Sequence, residues 1–141
     1  MKILVDSNVL VDYISIRVPY YNHAYEIFKL CANKKVKGAV AVHSIPNLYY
    51  ILRKEMDAPT RRSVIKNMLL VFDVAGISKE MAVHALENEE FKDFEDCLQD
   101  EYAVSFGADY IVTRNVKDFV NSSVKAITPE EFLAVYKEEN A

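Results

Sequence analysis

Three places in the sequence put oxygen-bearing side chains directly beyond short apolar runs or on one helix face. In Met1-Lys-Ile-Leu-Val-Asp-Ser-Asn8 the apolar residues Ile3, Leu4 and Val5 stop at Asp6, and Ser7 and Asn8 follow. In Asp109-Tyr-Ile-Val-Thr-Arg-Asn115 the run stops at Thr113, with Arg114, Asn115 and Asp118 beyond it. Between them Asp93, Asp96 and Asp100 recur at spacings of three and four, which on a helix places them along one face. Carboxylates brought together repel one another and raise each other's pKa unless a cation neutralises them. Clustered oxygen donors suit Mg²⁺ or Mn²⁺, which take about six oxygens and keep several waters.

Each group also has a structural use. Asp6 or Ser7 can cap a helix beginning near Val9. Asp93 and Asp96 suit a helix's first turn, where the dipole favours negative charge, although Asp100 lies beyond that turn. The stretch from Glu87 to Glu101 holds Glu87, Glu89, Glu90, Asp93, Glu95, Asp96, Asp100 and Glu101 against Lys92 alone, which reads as a solvated helix face or as cation binding.

The elements that must position these groups alternate between strand and helix. Ile3 to Val5 reads as a strand buried on both faces, the kind found in parallel sheets covered by helices. A short helix from Val9 to Ser15 follows, then a break at Pro19 and an amphipathic helix with Tyr21, Ala24, Tyr25, Phe28, Cys31 and Ala32 inward. Ala39 to Val42 forms a second strand, with Ser44 as cap and Pro46 in the first turn of a third helix carrying Asn47. A break at Pro59 with Thr60 near a cap, a strand over Leu70–Val74, and a helix from Ser78 with Met81, Ala82, Ala85 and Leu86 inward come next. Arg53, Lys54, Arg61, Arg62 and Lys66 form the most basic patch, read as a solvated helical hairpin ahead of a phosphate-contacting arm. Asp93 caps a helix from Phe94 to about Phe106, which Gly107 ends in the left-handed conformation. Asp109–Thr113 and Val124–Ile127 are further strands, and Thr128-Pro129-Glu130-Glu131 opens the last helix with a capping box.

This alternation argues for a three-layer α/β domain on a parallel sheet. All strand carboxyl ends then share one edge, where Asp6, the Ser44–Asn47 turn and the Thr113–Asp118 loop converge, joined by Asp96 if its helix starts there. The 141 residues suit one domain over 1–141, and 51% hydrophobic with 27% charged residues describes a soluble chain. No membrane-length apolar run and no cleavable leader is seen, so a cytoplasmic protein is expected. Cys31 and Cys97 have no metal-type spacing and are read as reduced packing residues. The net charge of −4 gives no overall attraction to nucleic acid, so any phosphate-binding surface must be local.

Four stretches in this order resemble the PIN-domain family, in particular VapC-type toxins: Asp6-Ser-Asn-Val-Leu-Val-Asp12, Ser44 to Leu52, Asp96 ten residues before Phe106-Gly-Ala-Asp109, and Ile111-Val-Thr-Arg-Asn-Val-Lys-Asp-Phe119. The resemblance spans nearly the whole chain and implies an α/β/α fold with a five-stranded parallel sheet in order 3-2-1-4-5. It implies a ribonuclease using Mg²⁺ or Mn²⁺, an RNA substrate, a small antitoxin partner and a homodimer. By it, Asp6 and Asp96 match acidic ligands, and Asp118 is chosen over Asn115 for the fourth because an amide supplies no charge. Ser7, Asn8 and Thr113 match groups that orient the site. Where the family usually has Glu on the third helix this chain has Asn47, which can coordinate through its carbonyl but cannot act as a base; Asp93 is the residue considered as its substitute. A weakened module that binds RNA or protein is therefore the alternative. A flavodoxin-like receiver or nucleotide-binding domain is disfavoured, since neither a glycine-rich phosphate loop nor a Lys at the expected strand end is present.

Overall fold

In the computed structural model, which describes residues 1–141, Ile3, Leu4 and Val5 are wholly buried, as a strand covered on both faces requires. They lie in β1 (Lys2–Val5), the centre of a five-stranded parallel sheet. β2 (Lys37–Ala41) and β3 (Asp73–Ala75) extend it on one side, β4 (Tyr110–Val112) and β5 (Ala126–Ile127) on the other. The order β3-β2-β1-β4-β5 is the expected one. Leu4 pairs with Ala39 on one neighbour and Ile111 on the other.

Alternation along β1 assigns the helices to layers. Ile3 and Val5 face a cluster containing Val9, Leu10 and Val11 of α1 (Ser7–Ile14), Ala24 and Ile27 of α2 (Tyr21–Ala32), and Leu48 of α3 (Ser44–Ile51). Ile65 and Met68 of α4 (Ala58–Met68) share it, and Phe132, from the last helix, closes it. Leu4 points the other way, into Ala39, Ala41, Ala75, Ile111 and Ala126. The helix lying there is the thirteen-residue Phe94–Phe106, which inserts Tyr102 and Ala103. With α5 (Lys79–Glu87) packed beside it, this is α6, and Pro129–Glu139 is α7. Alanine on both sides of this contact lets α6 approach the sheet closely, because a backbone can come nearer where side chains are short.

Several local expectations shift. The third strand is Asp73–Ala75 rather than Leu70–Val74, because Leu70 and Val71 still donate to Asn67 and Met68 carbonyls as α4 unwinds. The expected helix break is present but falls at residues 55–57, just ahead of Pro59: Asp57, not Thr60, caps α4, accepting from Thr60 N at 2.9 Å, and Pro59 sits in its first turn, where a missing N–H costs nothing. Ser44 is the first residue of α3 and does not cap it. Leu86 faces solvent, Met81 and Ala82 are half-buried, and Ala85 alone of the four is fully inward. Tyr25 is exposed, grouped with Tyr13 and Tyr21 in a triangle of rings whose centroids are 6.0–6.3 Å apart. The capping box at Thr128 and the left-handed Gly107 (φ 76°) are present. Cys31 and Cys97 are buried and unbonded, and no helix is long and apolar enough to cross a membrane.

Gly38 marks the closest approach in the larger cluster. A Cβ there would lie 2.8 Å from Cys31 Sγ and 2.9 Å from Phe72 Cδ1. Gly38→Ala is expected to cost about 1–3 kcal/mol through overpacking, read as a lower urea midpoint with an unchanged slope.

Candidate functional site

β1 is still paired with β4 when it reaches Asp6, whose N–H donates to Val112 O at 3.0 Å. Asp6 is extended (φ −72°, ψ 152°) and caps α1, its Oδ1 accepting from Ser7 N at 2.7 Å. The cap occupies only part of the carboxylate. Gln99 Nε2, from α6, donates to the same oxygen at 3.1 Å, and Oδ2 accepts from Thr113 Oγ1 at 2.8 Å and Asn8 Nδ2 at 3.3 Å. Burial raises the Asp6 carboxyl above its usual range, with Glu95 adding to the effect, while Thr113, Ser7 and His43 oppose it.

Thr113, the first residue beyond β4, is wholly buried, and its hydroxyl also accepts from Asn115 N at 3.0 Å. Asn8 bridges the two strand ends, accepting from Arg114 N at 3.4 Å. Arg114 in turn makes a two-pronged ion pair with Asp12 of α1, at 2.6 and 3.1 Å. Asn115 itself is exposed, and its side chain makes no hydrogen bond.

α6 delivers the second group. Asp93 caps it, accepting from Glu95 N at 2.7 Å, and Asp96 follows in the first turn. Asp96 is pushed up to about 6, first by burial and then by Asp93, Asp118, Asp6 and Glu95. That mutual repulsion is the effect expected of converging carboxylates. Asp118 is carried by a 3₁₀ turn, Val116–Phe119, which buried Phe119 anchors. Asp93, Asp96 and Asp118 line a cleft of about 510 Å³ together with Lys92 and Lys117.

Asp100 does not join them. It is buried, accepting from Ser123 N at 2.8 Å and Val124 N at 3.0 Å, and ties α6 to the segment before β5. The position on α3 that lacks an acid is met by another carboxylate. Asn47 Nδ2 donates to Glu95 Oε1 at 2.9 Å, and His43 Nε2 lies 3.2 Å from the same oxygen. Glu95, Gln99 and His43 were not picked out from sequence. Gln99 had a usable signal, a polar residue three positions after Asp96 on the same face; an acid such as Glu95 in a first turn is explained by the helix dipole and draws no notice.

The donor set fits a hard divalent cation. All the converging donors are oxygens, burial and the neighbouring carboxylates together raise Asp96, and beside Asp6 the buried Gln99 Oε1 has no hydrogen-bond partner. No three Asp, Glu, His or Cys side chains are grouped closely enough to hold an ion among themselves.

A search of curated protein sequences gave no significant match. The PIN domain family profile matches residues 2–117. Among solved structures, the chain is similar to VapBC2 from Rickettsia felis bound to a promoter DNA fragment, at 19% identity and TM-score 0.66, covering 91% of this chain and 98% of that one. It is similar to a toxin-antitoxin complex from Klebsiella pneumoniae at 21% identity and TM-score 0.68, covering 89% and 96%. DNA-bound VapBC from Salmonella typhimurium gives 16% identity and TM-score 0.67, covering 92% and 98%.

Proposed function

This chain belongs to the PIN-domain family, and from that premise we propose that it is a divalent-metal-dependent endoribonuclease, the toxin half of a toxin-antitoxin pair. The observation that carries this reading is the convergence of Asp6, Asp96 and Asp118 at the carboxyl edge, where strand order reverses between β1 and β4. Asp6, Asp96 and Asp118 would hold Mg²⁺ or Mn²⁺, directly or through water. When bound, the ion supplies a water of lowered pKa for in-line attack on a phosphodiester and neutralises charge on the phosphoryl oxygens.

The chain's own residues do the rest. Ser7 N, Asn8 and Thr113 fix the Asp6 carboxylate, and Thr113 also receives Asn115 N, so the two strand ends hold one geometry. Lys92 and Lys117 flank the acidic cleft, and Lys117 also lines a neighbouring cleft of about 420 Å³ with Tyr20, His23 and Arg114. In a chain of net charge −4 these cations give a phosphate backbone its local hold. The pairing with a small antitoxin is proposed from the likeness to toxin-antitoxin complexes, and a homodimeric toxin from the sequence resemblance to VapC-type toxins.

The test is cleavage of single-stranded RNA by purified protein. Internal cuts should form with Mn²⁺, stop with EDTA, and fall by about 100-fold or more in Asp6→Asn. Cleavage that survives both EDTA and Asp6→Asn would remove the site from the reaction.

A further inference from the structure

The charge absent from α3 at Asn47 has a counterpart one layer away. We infer that Glu95 of α6 supplies it: Asn47 holds the Glu95 carboxylate, with His43 beside it, at the mouth of the site, where it acts as an acidic ligand toward the divalent cation. This rests on the metal-dependent reading above and identifies which residue completes its acidic set.

The geometry is specific to a held side chain. Glu95 begins as an ordinary first-turn acid with a largely exposed side chain, which nothing on its own helix would restrain. Two groups from the β2–α3 connection and the first turn of α3 come to the same oxygen: Asn47 Nδ2 donates to it at 2.9 Å, and His43 Nε2 lies 3.2 Å away without hydrogen-bond geometry. His43 is itself steadied against Tyr102 of α6, with ring centroids 5.2 Å apart. Both contacts fall on Oε1, and Oε2 has no protein partner.

The pairing also accounts for an amide at position 47. An amide can donate to a carboxylate, whereas Glu at 47 would set two acids against each other. Acid on α6 with amide on α3 is thus the mirror arrangement of acid on α3. Glu95 is near enough to repel both Asp6 and Asp96. An independent observation lies one turn further along α6: Gln99, which donates to Asp6, leaves its buried Oε1 without a partner.

The experiment is calorimetric titration of the full chain with MnCl₂ alone, so the readout is binding rather than activity. Glu95→Gln keeps an acceptor for Asn47 and removes only charge; its Mn²⁺ affinity should fall about tenfold or more, with the metal-free melting temperature unchanged or higher. Asn47→Ala, which frees Glu95 without removing charge, should lower affinity by a smaller factor. Asn47→Glu combined with Glu95→Gln exchanges the two roles and should restore affinity. Wild-type affinity in both Glu95→Gln and Asn47→Ala, alongside its loss in Asp96→Asn, would overturn the role of Glu95 and leave the metal site standing. Absence of Mn²⁺ binding by the wild-type chain would overturn the metal-dependent reading and this assignment together.

Discussion

Asp96→Asn will make the metal-free protein more stable at pH 7.5 while lowering RNA cleavage by more than about 100-fold. The carboxyl titrates near 6 in the folded chain, above its ordinary value of 3.8. An acid raised on folding favours the folded state while protonated, at pH below about 4, and this contribution is lost as pH rises through about 6. At pH 7.5 the loss is complete, and an uncharged amide escapes it. Allowing for screening at a partly solvated group, the gain is about 1 kcal/mol, or about 2–4 °C in melting temperature for a chain of this size. Saturating Mn²⁺ should reverse the ranking, since an ion that binds only the folded wild type stabilises it by mass action. Melting curves at pH 5 and 7.5, with and without Mn²⁺, read all of this. Asp100, one turn further along α6, is the control: its carboxylate accepts two backbone N–H groups, so Asp100→Ala should destabilise at every pH where Asp96→Asn does not. If Asp96→Asn melted below wild type without metal, Asp96 would be structural.

Arg114→Ala should cost the most stability of any change near the site. Asp12 of α1 is 1% exposed, and Arg114 meets both its oxygens. Removing the guanidinium leaves a buried charge without its counterion, worth about 3 kcal/mol, the lower end for such pairs, because the Arg114 side chain keeps 26% of its surface in water. Adding Asp12→Leu should recover most of the loss, since an apolar replacement of both partners is often close to neutral. Urea midpoints for the three variants make the comparison. Activity separates the roles: the double variant should refold well yet bind RNA more weakly and with a shallower salt dependence, because Arg114 also lines the cleft beside Lys117. Full recovery of RNA affinity in the double variant would confine Arg114 to holding α1 against β4.

The parts of this molecule that could be read from sequence are those set by neighbours in the chain. The break from Val5 to Asp6, the left-handed Gly107 and the capping box at Thr128 are local, and all three stand in the structure. The third strand was misplaced because the apolar run Leu70–Phe72 serves the end of α4 as well as a strand would, and hydrophobicity does not tell these apart. Leu86 was expected inward on periodicity, yet α5 packs mainly beside α6 and has too little sheet beneath it to bury a second apolar row. Asp100 was grouped with Asp93 and Asp96 by spacing alone; burial against Ser123 and Val124 was invisible until the chain closed on itself. Glu95, His43 and Gln99 share that reason. Each matters through a contact with a residue far along the chain, and spacing along one helix carries no record of it.

The alanines under α6 have a mechanical consequence. Asp6 is fixed to the sheet and Asp96 to the helix, so the separation of the two carboxylates is set by how thick the layer of Ala39, Ala41, Ala75 and Ala103 is between them. A methyl side chain is the thinnest spacer available short of glycine, and it has no rotamers to vary. The layer therefore works as a fixed-gauge shim between the two halves of the acidic site.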